Sequence, residues 1–140
     1  MKSTEDLLKS IKDEPQLDVF LDGNEQEFIQ ISVAEYLNRL IAEKQLSKAE
    51  VIRKSSMDKT YAYQIFSGVR TPSRDKLIQL AIGMGLDAEE AQKMLKYCGA
   101  VPLYVKNRRD SIILHALAHH QNAIELDIQL DEKGEALLGE

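Results

Sequence analysis

Residues 47–72 read SKAEVIRKSSMDKTYAYQIFSGVRTP, and this stretch decides the fold. Ser47 and Asp58 are good N-caps: their short side chains carry an oxygen that takes a free amide at a helix start. Val51 and Ile52 follow Ser47 as one apolar face, and Tyr61, Ala62 and Ile65 follow Asp58 as another. Gly68 supplies a positive φ where the second helix must stop. Pro72-Ser73 ends the loop beyond it. The spacing predicts a short helix, a tight turn and a second helix, arranged as a helix-turn-helix.

Working outward, Ser32-Val33-Ala34-Glu35 forms a capping box ahead of Val33, Tyr36, Leu37, Leu40 and Ile41 at helical spacing. Downstream, Leu77, Ile78, Leu80, Ala81 and Met84 form the inner face of a further helix. Near the N-terminus, Ser3 caps a helix through Leu7, Leu8 and Ile11 that stops near Pro15. The stretch QLDVFLDGNEQEF (16–28) lacks helical period and is expected to be extended or loop. Its Val19, Phe20, Leu21 and Phe28 would dock it on the main body.

The C-terminal part nearly repeats itself. LIQLAIGMGLDAEEAQKMLKYCGAVPL (77–103) lies on IILHALAHHQNAIELDIQLDEKGEALL (112–138) at a constant offset of 35. Asp87 falls on Asn122, both N-caps, and Gly99 falls on Gly134. Two copies are fewer than a solenoid needs, so the expectation is two related helical hairpins packed together.

The chain has 140 residues, 44% of them hydrophobic, with only 7 Gly and 3 Pro. That composition favours helices over a turn-dense β fold. No apolar run approaches the roughly 20 residues a membrane span needs, and the charged start MKSTEDLLKSIKDEP holds no signal-peptide stretch. One cysteine, Cys98, excludes an internal disulfide framework and a multi-cysteine zinc finger. A cytoplasmic setting is expected. The net charge of −5 is unevenly spread: −5 over residues 1–32, +4 over 33–86 and −4 over 87–140. A basic segment between two acidic ones suggests an anionic partner for the middle.

Leu46-Ser47, Glu50-Val51, Asp58, Ile65, Gly68, Pro72-Ser73 and the closing LIQLAIGMGL together resemble the Xre/phage-repressor (lambda-repressor-like) helix-turn-helix family. The resemblance covers about residues 33–86 and implies a five-helix domain. Three features depart from the family pattern. Ile52 and Ala62 exchange large for small at positions that face each other across the helix pair, which keeps total volume nearly constant. Ser56 stands in place of the turn glycine. Ile41 and Phe66 stand where the family often has an ion pair, and an apolar contact is expected there instead.

The resemblance implies base-reading roles for Lys59, Thr60, Tyr63 and Gln64. Lys donates to guanine O6 and N7, Gln pairs with adenine, and Thr bonds a base or touches a thymine methyl. It implies backbone-anchoring roles for Ser47, Lys48, Arg70 and Thr71, which would set register on phosphates without reading sequence. Arg53, Lys54 and Arg74 are read as solvated charges, with a wider electrostatic footprint as the alternative, and the Asn107-Arg108-Arg109-Asp110 helix start as a solvated cap, with a second phosphate contact as the alternative. His115 and His119 share a helical face, with Asp127 in reach of them by sequence, but a metal site needs three or four converging ligands. They are read as core or surface histidines and Cys98 as a packing residue. No catalytic constellation, metal or cofactor is expected, so the chain is not read as an enzyme.

The resulting expectation is an all-α protein in three parts: an acidic segment at 1–32, a helix-turn-helix domain at 33–86 and a helical extension at 87–140. Its expected function is sequence-specific binding of double-stranded DNA as a transcriptional regulator, a repressor, with residues 59–67 in the major groove. The extension would supply a homodimer interface or a surface for a protein partner. The rival reading is a protein-interaction adaptor that kept the fold and no longer reads DNA.

Overall fold

The structure, a computed structural model, describes residues 2–24 and 32–139. All regular structure among the described residues is α-helical, as composition and spacing predict. The chain divides into two compact units, residues 1–30 and 31–140.

The first unit holds α1 (Thr4–Asp13) and α2 (Leu17–Gly23). The Ser3 hydroxyl accepts from the Asp6 amide at 3.1 Å, so the cap at Ser3 is formed. The expectation of an extended stretch from residue 16 is overturned over residues 17–23, which are helical. Asn24 secures the end of α2 by donating from Nδ2 to the Phe20 carbonyl at 2.8 Å. A helix this short shows too few turns for its period to stand out from the sequence. Phe28 lies outside the described residues.

The second unit holds α3 (Val33–Glu43), α4 (Lys48–Ser55), α5 (Lys59–Ser67), α6 (Arg74–Gly83), α7 (Ala88–Tyr97), α8 (Arg108–Ala118) and α9 (Ala123–Glu132). Each is capped at its N-terminus by a Ser, Asp or Asn side chain. Residues 33–86 therefore hold four helices, α3 to α6, and a fifth, α7, starts beyond Leu86. One apolar core runs from Leu37 to Leu138 through all seven helices. Ile41, Ile52, Ala62 and Phe66 are all buried in it.

The repeat expected from the sequence is present in backbone detail. α9 covers the residues of α7 shifted by 35, and both begin with a capping box, Asp87 with Glu90 and Asn122 with Glu125. The Leu103 amide donates to the Gln92 side chain at 2.7 Å, and the Leu138 amide to Asp127 at 2.9 Å, again 35 positions on.

A third copy precedes these two. The hairpins α3/α4, α6/α7 and α8/α9 turn on Gln45, Gly85 and His120, all at positive φ (54°, 72° and 52°). Each turn is closed by the same bond five residues back: Leu46 to Ile41, Leu86 to Ala81, Gln121 to Ala116, at 2.9 to 3.0 Å. The first copy lies 40 residues ahead of the second because α5 and its loop intervene, so a search at a constant 35 passes over it.

α4 packs on α6 because Gly83 lets the backbones touch. A Cβ at residue 83 would lie 2.3 Å from the Val51 carbonyl oxygen. This close approach fixes α4, and with it the turn that launches α5.

Candidate nucleic-acid interface

The α4–α5 turn forms without glycine. Ser56 takes the left-handed conformation, φ 58° and ψ 24°, which a residue with a Cβ adopts at a cost. Its neighbour braces it: the Ser55 hydroxyl donates to the Ile52 carbonyl at 2.6 Å and accepts from the Met57 amide at 3.2 Å. Gln79 Nε2, from α6, donates to the Ser55 carbonyl at 3.3 Å. Asp58 then accepts from the Tyr61 amide at 2.9 Å and starts α5.

α5 buries Ala62, Ile65 and Phe66, half-buries Tyr61 and Gln64, and turns Lys59, Thr60, Tyr63 and Ser67 outward. Lys59 and Thr60 are exposed in the first turn, and Tyr63 is 39% exposed one turn later. A groove of about 380 Å³ runs between α4 and α5, with Lys59 and Tyr63 on one side and Glu50 and Arg53 on the other. The hydrogen bond and charge of Arg53 hold the Glu50 carboxyl below its ordinary range. Largely exposed to solvent, that pair contributes little to stability.

Gln64 is half-buried and bound. Its side-chain oxygen accepts from Arg70 Nε. Its main-chain oxygen accepts from the Val69 and Arg70 amides at 2.9 and 3.1 Å and from the Ser67 hydroxyl at 3.1 Å. Gly68, at φ 87°, lets the chain double back so that Arg70 meets Gln64. The Arg70 guanidinium also lies 4.9 Å from the centre of the Tyr61 ring, and Lys76 Nζ lies 5.6 Å from it. Cation–π contacts of this kind hold a charged head in place while leaving it solvated.

The structure thus brings together Lys59, Thr60, Tyr63 and Gln64 on α5 with Arg70 beside them. Thr71 is exposed in the same loop, which buried Pro72 anchors. Ser47 caps α4 through the Glu50 amide at 3.3 Å. Lys48 lies 5.1 Å over the Phe66 ring at the start of the same helix. Lys76 joins this basic rim unanticipated; its signal was its place in the first turn of α6, directly after the loop that carries Arg70.

Two arginines read as solvated, Arg74 and Arg109, are used internally instead, while Arg108 stays exposed as read. Arg74 pairs with Asp110, Arg109 with Asp75 and Arg108 with Glu135. For Arg74 and Arg109 the reason is the repeat: α8 begins beside α6, so each meets the acid of the neighbouring hairpin, whereas Glu135 belongs to the same hairpin as Arg108. Arg53 instead pairs with Glu50 on its own helix.

His115 and His119 do share a face, their rings 4.2 Å apart, but Asp127 is turned to the Leu138 amide. Among the described residues no group of three His, Cys, Asp or Glu side chains is placed to hold a metal ion. Cys98 is half-buried, and burial pushes its thiol up to about 11. Tyr36 stacks on Tyr97, ring centres 5.1 Å apart. Its hydroxyl is pushed up to about 12, first by burial and then by the charges of Cys98, Tyr97 and Glu43. No helix among the described residues is long and apolar enough to cross a membrane.

Comparison of the chain with protein-family models, curated proteins and solved structures returns no match.

Proposed function

We propose that this chain is a sequence-specific DNA-binding transcriptional regulator, a repressor acting in the cytoplasm as a homodimer. In this reading α4 and α5 form a lambda-repressor-like helix-turn-helix, and residues 59–67 dock in the major groove. The observation that carries the reading is the outward face of α5. Lys59, Thr60 and Tyr63 project from its first turns, and Arg70 and Lys76 flank it on the Tyr61 ring. A helix presenting donors from its N-terminal turns, with cations beside it, fits a groove lined by phosphates.

The division of labour follows from the chemistry. Lys59 donates to guanine O6 and N7, and Thr60 bonds a base edge or meets a thymine methyl. Gln64 uses one lone pair of its side-chain oxygen on Arg70 and keeps a second lone pair and both amide protons. Those suffice for adenine N6 and N7. Arg70 keeps its terminal nitrogens for a phosphate, so it both anchors and orients. Ser47, Lys48 and Thr71 contact the backbone. Binding and occlusion of a promoter are the action assigned, with no catalytic step and no cofactor.

A second reading rests on a specific observation. Gln64 and Arg70 already satisfy one another, and the chain carries a net charge of −5. A protein-interaction adaptor on the same fold would use Tyr63 and the basic rim for an acidic protein surface.

A salt titration decides between them. Binding to random and genomic duplex fragments should weaken linearly in log–log form with a slope of several negative units, as counterions are released. Absence of binding at low salt leaves the adaptor.

A further inference from the structure

The outer face of α9 differs from that of its sister helix in one respect. At an offset of 35, Ile124 and Ile128 of α9 occupy the positions of Glu89 and Lys93 in α7. The backbones match and all four side chains face solvent. The α7 pair is charged, whereas Ile124 is 65% and Ile128 53% exposed. The outward face of an amphipathic helix ordinarily carries polar side chains. Here two isoleucines one turn apart make an apolar stripe on it.

The stripe has oppositely charged ends. Past Ile128, Asp131 and Glu132 border a groove of about 520 Å³ that both isoleucines line. Past Ile124, Arg53 and Lys54 of α4 border an adjoining groove of about 490 Å³. Lys54, Asp131 and Glu132 are all exposed and form no ion pair among the described residues. Basic, apolar and acidic groups thus follow one another along a single face.

We propose that this face joins two copies of the chain about a two-fold axis, with the α9 helices antiparallel. An isologous interface must be self-complementary. Reversing the stripe against itself sets Ile124 of one copy on Ile128 of the other. It also sets Lys54 and Arg53 of each copy against Asp131 and Glu132 of its partner. The inference deepens the homodimer part of the proposed function and does not depend on DNA binding.

The test is sedimentation equilibrium on the full chain and three variants, with helicity checked by circular dichroism. The wild type should dimerise below about 100 μM. Ile128→Lys should weaken the dimer at least about tenfold, because it buries a charge in the centre of the stripe. Lys54→Glu should weaken it too, and Lys54→Glu with Asp131→Lys together should recover most of the loss, since the exchanged charges face each other again across the axis. A monomeric wild type, a dimer indifferent to Ile128→Lys, or no recovery in the double variant overturns the proposal. DNA binding is read separately on the same samples. A dimer without DNA binding removes only the regulator reading, and DNA binding by a monomer removes only the interface.

Discussion

Arg74 and Arg109 hold equivalent positions in successive hairpins, and each pairs with the residue that follows the other. Arg74 bonds Asp110 at 2.8 and 3.1 Å, and Arg109 bonds Asp75 at 3.0 and 3.1 Å. The equivalence extends to the main chain. Arg74 also donates to the Val101 and Pro102 carbonyls, and Arg109 to those of Ala136 and Leu137, again 35 positions on. Two Arg-Asp dipeptides therefore clasp α6 to α8 and tie each helix start to the loop that ends its own hairpin.

Asp110 is the acid to test, because it is buried and also accepts from the Tyr104 amide at 2.9 Å. Burial pushes its pKa up, but the Arg74 and Tyr104 hydrogen bonds and the charges of Arg74 and Arg109 outweigh that and hold it low. A folded-state pKa below the unfolded value near 3.9 stabilises fully above that value, and the contribution is lost as pH falls through the folded one. Asp110→Asn should thus cost about 2–3 kcal/mol at pH 7. This falls below the roughly 3–5 kcal/mol for breaking a fully buried pair, since the Arg74 side chain is still 25% exposed. The cost should shrink well below pH 4. Urea unfolding at pH 7 and pH 2.5 measures both, and an equal penalty at the two pH values would remove the charge from the explanation.

Gly83→Ala tests the contact that positions the α4–α5 turn. The added methyl meets the Val51 carbonyl oxygen at 2.3 Å and the Ser55 Cβ at 3.1 Å. Both belong to the helix next to the turn, so relief requires α4 to move off α6. A loss of about 2–3 kcal/mol is expected from thermal unfolding. A loss under about 0.5 kcal/mol, within the range of ordinary surface changes, would show that the two helices part freely.

Ser56→Gly should act in the opposite sense. Ser56 sits at φ 58°, where a Cβ is disfavoured, and its turn is braced by Ser55 rather than by its own side chain. Relief of strain, offset by the greater freedom of glycine when unfolded, leaves a gain of about 0.5–1 kcal/mol. Denaturant midpoints at a constant slope give the value. A less stable glycine variant would mean that Ser56 contributes something the geometry does not show.

Much of the fold was legible because helix starts are written in single residues. Ser3, Ser32, Ser47, Asp58, Asp87 and Asn122 each cap the helix predicted for them. The 35-residue copy was legible because its two members adjoin, whereas the α3/α4 copy was hidden by the insertion of α5. α2 was missed for its shortness. The internal roles of Arg74 and Arg109 were out of reach, because their partners lie 36 and 34 residues away and only the stacking of hairpins brings them together. At the candidate site, the outward positions of α5 follow from helical period. The bond from Arg70 to Gln64 does not, since it depends on how the chain turns back after Gly68.

That bond changes what should be expected of Arg70. If it only held a phosphate, Arg70→Ala would weaken every sequence alike and lower the salt slope by about one unit. Because it also fixes the Gln64 side chain, Arg70→Ala should relax one base position as well. It should be the same position that Gln64→Ala relaxes, where about 1–3 kcal/mol of discrimination is at stake. Arg70→Lys should restore the salt slope and leave the preference relaxed, because a lysine ammonium cannot hold Gln64 and a phosphate in the fork geometry of a guanidinium. Lys59→Ala should relax a different position. Selection from random duplexes with each variant, beside salt titrations, reads all four outcomes. If Arg70→Ala kept the wild-type preference while Gln64→Ala lost it, Gln64 would read its base unaided and Arg70 would be a backbone contact alone.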